Sequence, residues 1–262
     1  EDYDPLFSSQ NYINYISSIN PKIYPLKVLF SSNIDFTEQY KTRIKKVDDR
    51  FVPMLNEYLK KTRLMLQEYK VFDKPTWQIR MSINNLENNY PYTLDNTIII
   101  PFSMLNDYYE IYKYSNNLSD TFLETLIHEM IHIIQRENQN KFNDFYRKNY
   151  VFLGKMINDN QLPIELKERY FTNPDSNNTI WYYNLDGSTY IPICELDNNN
   201  IRQIGYKVTD LNTMIELNKN SILQKYKALS VYHPNEIFAC SVSTSLLKKD
   251  VENNTNMFLK SL

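Results

Sequence analysis

The stretch Thr125-Leu126-Ile127-His128-Glu129-Met130-Ile131-His132-Ile133-Ile134 decides how this chain is read. Its two histidines are four residues apart, so on a helix they stand one turn above the other on one face. Both imidazoles can then reach a single metal ion, and Glu129 projects beside them, where it can take a proton from a metal-activated water. Histidine is scarce: with 3 in 262 residues, HExxH is expected by chance only about 0.002 times in such a chain. Around the motif, Phe122, Leu123, Leu126, Ile127, Met130, Ile131, Ile133 and Ile134 make residues 118–137 apolar over most of a helix, with Ser119 or Asp120 as N-cap. Thr121, Glu124, Thr125, His128, His132, Gln135 and Arg136 form one polar stripe, which suits a buried helix facing a metal cleft. A purely structural helix with hydrogen-bonded core histidines leaves Glu129, which has no basic neighbour in sequence, unexplained.

Working outward, residues 36–69 have helical periodicity that Pro53 is expected to kink or split. Residues 76–83 alternate, with Trp77, Ile79, Met81 and Ile83 on one face, which predicts a half-buried strand. The β-branched run 97–100, ended by Pro101, reads as a strand near a sheet edge, along which an extended peptide could pair. A second helix is expected from 140 to about 155. Asn173-Pro174-Asp175 reads as a turn, and Asp186-Gly187 joins 181–183 to 190–194 as a hairpin. Residues 210–226 and 234–247 read as helices, the second opened by proline, and the polar tail from Lys248 as a solvated end. The expectation is an α+β fold with two lobes forming one catalytic unit. Residues 1–138 carry a small mixed sheet and the HExxH helix; residues 139–262 form a mainly helical lobe with the hairpin and the helix of a third ligand.

A zinc site that keeps a catalytic water needs that third protein ligand. The last histidine, His233, lies in Tyr232-His233-Pro234-Asn235-Glu236-Ile237-Phe238-Ala239 and could itself be a ligand, a donor to an oxyanion, or a helix cap. Glu137 and Asp144 are nearer the motif, but neither helical phase nor motif places them.

His128-Glu129-Met130-Ile131-His132 together with Asn235-Glu236 resembles the gluzincin branch of the zincins, the HExxH zinc metallopeptidases. The wider strings 126–136, Asn173-Pro174-Asp175 with Trp181, and 233–239 are similar to uncharacterised HExxH proteins of large DNA viruses. The gluzincin resemblance covers two motifs. It implies a zincin-like fold, Zn²⁺ bound by His128, His132 and Glu236, Glu129 as general base, and a peptide or protein substrate. His233 would then stand beside the metal as a second catalytic residue, with Tyr182, Tyr183 or Tyr190 from the hairpin as weaker candidates for the oxyanion donor. The sequence after His132 lacks the Gly and third His of the metzincin extension. The gap of 104 residues from His132 to Glu236 is longer than the compact gluzincin arrangement.

Composition narrows the alternatives. Three glycines, far apart at 154, 187 and 205, leave no Gly-rich phosphate cradle. A net charge of −2 gives no electrostatic case for nucleic acid. No apolar run approaches the roughly 18 residues of a membrane span. Two cysteines are too few for a disulfide framework and read as buried free thiols. The chain opens without a signal-peptide pattern, so a soluble protein is expected, in an intracellular or virion setting if the viral resemblance holds. A non-catalytic zinc scaffold or effector module is the competing class.

Overall fold

In a computed structural model, the described residues are 4–19, 36–73, 77–150, 153–158, 161–171, 173–176, 179–197, 200–226, 228 and 230–262. In chain order the helices are α1 (Gln10–Ser18), α2 (Phe36–Thr42), α3 (Val52–Leu66), α4 (Phe102–Ser115), α5 (Asp120–Glu137), α6 (Gln139–Asn149), α7 (Ile164–Lys167), α8 (Ser221–Gln224), α9 (Pro234–Lys248) and α10 (Asn253–Ser261). The strands are β1 (Ile44–Lys46), β2 (Gln78–Ser82), β3 (Tyr92–Leu94), β4 (Thr97–Pro101), β5 (Leu153–Asn158), β6 (Thr179–Leu185), β7 (Ser188–Asp197), β8 (Asn200–Lys207) and β9 (Asp210–Glu216). Among the described residues the fold is mixed α+β with two sheets: a mixed one ordered β1-β2-β4-β3 and an antiparallel one ordered β5-β6-β7-β8-β9.

The mixed sheet carries the HExxH helix on one face. Ile98 and Ile100 of β4 join a core with Phe122, Leu126, Ile127, Met130 and Ile134 of α5. Ile99 points the other way, into a cluster with Tyr12 and Tyr15 of α1 and Tyr40 of α2. Because both faces are covered and both edges paired, to β2 and to β3, β4 is an interior strand. This corrects the expected edge position, and a peptide cannot add to β4. β2 is shorter than the predicted strand, leaving Trp77 and Ile83 outside it, and burial deepens along its length until Met81 and Ser82 are both buried, instead of alternating. Thr76 lies outside the described residues.

Other expectations change where tertiary pairing overrides local pattern. Residues 36–69 are divided by β1, and Pro53 opens α3 in its first turn, where a missing N–H costs nothing. The predicted 186–187 hairpin is present as β6 and β7, but it forms part of a five-stranded meander, so the C-terminal half is not mainly helical. Residues 210–226 are not one helix: they begin with β9, which pairs Met214 with Tyr206 and Ile215 with Gly205, and only the short pieces Leu217–Lys219 and Ser221–Gln224 after it are helical. The tail is not solvated throughout, since α10 buries Leu259 and stacks Phe258 on Phe145.

The main core holds residues from both sides of the 138/139 boundary, including Phe122 and Ile134 beside Phe142, Trp181 and Phe238. A second face of the meander, with Ile180, Ile191, Ile193 and Ile204, closes on Leu162 and Leu166 around α7. Among the described residues, no helix is long and apolar enough to cross a membrane.

Candidate metal centre

α5 begins at the N-cap Ser119, whose backbone N–H is taken by the Tyr58 hydroxyl at 2.6 Å. Its apolar residues join the main core, and Glu124, His128, His132 and Gln135 of its polar stripe face α9. The two helices run antiparallel. Each four-residue step along α5, from Glu124 to His128 to His132, meets a four-residue step back along α9, from Thr244 to Cys240 to Glu236. Thr244 donates to Glu124, and Cys240 stands opposite His128.

At the centre of this register, Nε2 of His128 and Nε2 of His132 are 2.9 Å apart. Glu236 presents one carboxylate oxygen to each, Oε2 at 3.5 Å from His128 and Oε1 at 3.7 Å from His132. One ligand atom from each of the three residues lies within 4.8 Å of the others. Two imidazoles and a carboxylate are a donor set suited to Zn²⁺.

The tautomer of His132 follows from its neighbours. Gln135 Nε2 donates to the Asn235 carbonyl at 3.0 Å and to the Tyr146 hydroxyl at 2.9 Å. A carbonyl only accepts, so the Gln135 amide orientation is set and its Oε1 faces His132 Nδ1 at 2.8 Å. Nδ1 therefore carries the hydrogen, and Nε2 offers a lone pair toward His128 and Glu236. Burial pushes His132 down to about 3, against the pull of Glu236, so the ring is neutral. For His128, burial also acts downward, but Cys240, Glu236 and Glu129 together raise it well above the usual imidazole range.

Glu129 is buried, and its Oε2 has no hydrogen-bond partner. Burial first, and then the nearby Asp175 carboxylate, push it well above the usual carboxylate range, opposed by His128 and Arg136. Asp175 is itself pushed up by burial, and Arg136 and Thr93 oppose that shift. Its Oδ1 accepts from Thr93 N at 3.1 Å and Thr93 Oγ1 at 2.5 Å, with Arg136 Nη2 at 3.7 Å. An orphaned carboxylate oxygen next to three converging ligand atoms fits a metal-bound group more readily than a dry core.

His233 is placed differently from the expectation of an oxyanion donor. It is the N-cap of α9: Nδ1 accepts from Asn235 N at 3.1 Å, while Nε2 lies 3.2 Å from Thr179 Oγ1. Both ring nitrogens are engaged, and His233 is not in the three-residue cluster. The Tyr183 hydroxyl donates to the Val231 carbonyl at 2.8 Å within the core, and Tyr182 lines a surface groove with Lys207 and Val208. Tyr190 packs partly buried against the main core. Asp144 pairs with Arg147 at 3.3 Å on an exposed surface, and neither it nor Glu137 belongs to the cluster.

No family model matches the chain, and neither a curated protein nor a solved structure matches it. The chemistry of the site therefore carries the functional assignment.

Sequence reasoning did not anticipate Gln135 as the partner of His132, or Asn173, Asp175 and Cys240 as neighbours of the site. Gln135 was legible in principle, being three residues after His132 on the same stripe. The others come from distant segments and carry no local signal. Cys194 and Cys240 are not joined in a disulfide; Cys194 is buried and Cys240 partly so.

Proposed function

We propose that this chain is a zinc-dependent metallopeptidase with a zincin-like site of gluzincin type, in which His128, His132 and Glu236 hold Zn²⁺ and Glu129 is the general base. The observation that carries this reading is the convergence of three ligand atoms from α5 and α9 beside a buried Glu129 oxygen with no hydrogen-bond partner. Zn²⁺ held there supplies a Lewis acid and lowers the pKa of water to about 7. Gln135 keeps His132 in the tautomer that can ligate. Glu129 takes the proton of the attacking water at its unpartnered oxygen and returns it to the leaving amine, with the peptide carbonyl carbon as the centre attacked. Arg136, 3.7 Å from Asp175, balances the second carboxylate behind Glu129.

The test is metal content by elemental analysis combined with cleavage of casein and of a peptide library. Glu129→Gln is expected to keep stoichiometric zinc while hydrolysis falls by about 10²-fold or more, the range for loss of a general base. Glu236→Ala is expected to lose stoichiometric zinc on dialysis, while its two histidines keep a weaker affinity that can still be titrated. Unchanged hydrolysis in Glu129→Gln sinks the mechanism.

One observation favours a second reading, a zinc-containing scaffold or effector module without catalysis: the side chains of His132 and Glu236 are only 1% and 8% exposed. Stoichiometric zinc with no cleavage of casein or any library peptide would select it.

A further inference from the structure

The third ligand comes from a helix that starts far from the HExxH motif in sequence, and a carboxylate on a flexible stem needs something to aim it. Glu236 lies in the first turn of α9. Its Oε1, the oxygen nearer His132, accepts a hydrogen bond from Asn173 Nδ2 at 3.1 Å. Asn173 precedes the short helical turn Pro174–Ser176, which lies between α7 and β6 in the chain.

The orientation of that amide is determined by its own backbone. Asn173 Oδ1 accepts from Asp175 N at 2.9 Å, and a backbone N–H only donates. Nδ2 must therefore face the site, where its two hydrogens go to the Tyr232 hydroxyl and to Glu236. The Asn173 carbonyl takes Ser176 N at 3.2 Å and Ser176 Oγ at 2.8 Å, which closes the turn.

The turn is in turn clamped to three elements that build the site. Asp175 Oδ1 binds Thr93 of β3 and faces Arg136 of α5. The Asp175 carbonyl accepts from Asn235 Nδ2 of α9 at 3.1 Å. Asn235 also takes the Tyr146 hydroxyl on its Oδ1 at 3.1 Å and Gln135 on its carbonyl at 3.0 Å. Asn173, Asp175 and Asn235 thus join the partner of Glu236 to the partner of His132 through one buried network.

We propose that the Asn173-Pro174-Asp175 turn is the positioning element of the third metal ligand: Asn173 aims the Glu236 carboxylate at the histidine pair, and Asp175 fastens the turn to β3 and α5. This rests on the zinc reading of His128, His132 and Glu236. Asn173 is a positioning residue; it acts through Glu236 and not on substrate. Hydrogen-bond partners of metal ligands typically change metal affinity by about 10–100-fold.

The experiment is a double-mutant cycle on metal affinity, with Zn²⁺ titrated against a chromophoric chelator in the full chain, in Asn173→Ala, in Glu236→Ala and in the double variant. Asn173→Ala is expected to weaken Zn²⁺ binding by about 10–100-fold, and by less than about twofold once Glu236 is gone. An effect of the same size in both backgrounds, or a single variant within about threefold of the parent, overturns the proposal. Asn173→Asp serves if the alanine variant does not fold. It retains the acceptor for Asp175 N but turns the donors facing Glu236 into an oxygen, and the visible d–d spectrum of the Co²⁺-loaded protein is expected to differ from the parent; an unchanged spectrum overturns the proposal. If the parent chain takes up no stoichiometric Zn²⁺ or Co²⁺, it is the zinc reading itself that fails, which separates the two.

Discussion

At the residue scale, the side chains around the site are held by donors and acceptors whose roles are forced. The Asn235 carbonyl orients Gln135, which selects the His132 tautomer. His233 shows the same logic in a capping role. Its Nδ1 must stay unprotonated to accept from Asn235 N, and burial pushes its pKa from 6.5 down to about 3. Between those values the unfolded chain binds a proton that the folded chain refuses. Stability from this group is therefore complete above pH 6.5 and is lost as pH falls toward 3, at up to about 1.4 kcal/mol per pH unit. Urea unfolding of the metal-free protein at several pH values should show a slope of this sign, and His233→Asn, which keeps a capping acceptor without a titrating ring, should reduce it and leave the part due to the similarly depressed His132. An equal slope in the variant would assign the acid sensitivity elsewhere. The excess of asparagine over glycine also gains a conformational meaning. Asn84, Asn85, Asn88, Asn89 and Asn116 all have positive φ, positions that glycine commonly takes. Several tyrosines are structural in the same sense: Tyr15 and Tyr40 donate to the buried Glu87 at 2.5 and 3.1 Å.

At the element scale, pairing decided what periodicity left ambiguous. Residues 211–215 carry apolar side chains at helix-compatible spacing, yet the segment pairs with β8 as an edge strand. β8 accepts it because Gly205 has no side chain: a Cβ there would lie 2.9 Å from Leu217 Cδ2 and 3.2 Å from Ile215 Cγ1. Gly205→Val should destabilise the fold by roughly 1–3 kcal/mol, as overpacking does, measured as a lower urea midpoint with an unchanged slope. A neutral result would mean that β9 and Leu217 move aside at no cost. The run 97–100 was recognisable as a strand, but its interior position was not, since β-branched residues suit any strand whose faces are covered.

At the scale of the whole molecule, the candidate metal centre depends on a core that crosses the halves of the chain. α10, which composition suggested was solvated, inserts Leu259 and Phe258 beside Phe142, Phe145 and Phe238. Leu259 is 1% exposed, and Leu259→Ala should cost about 2–5 kcal/mol, read from the thermal unfolding midpoint; a change within about 0.5 kcal/mol would show that α10 is dispensable. The pair of histidines with Glu129 was readable from a ten-residue string, because an i,i+4 spacing on an apolar helix needs no knowledge of any other segment. The α+β class and the long helix 120–137 were legible for the same reason: helical and alternating patterns are local. Glu236 could only be pointed to by resemblance, and Asn173 and Asp175 only as a turn. Their approach to the histidines requires that α5 pack antiparallel on α9 and that the turn reach β3 across the intervening chain. That packing is set by burial of apolar faces from segments far apart in sequence, and no single segment carries the register in which they meet.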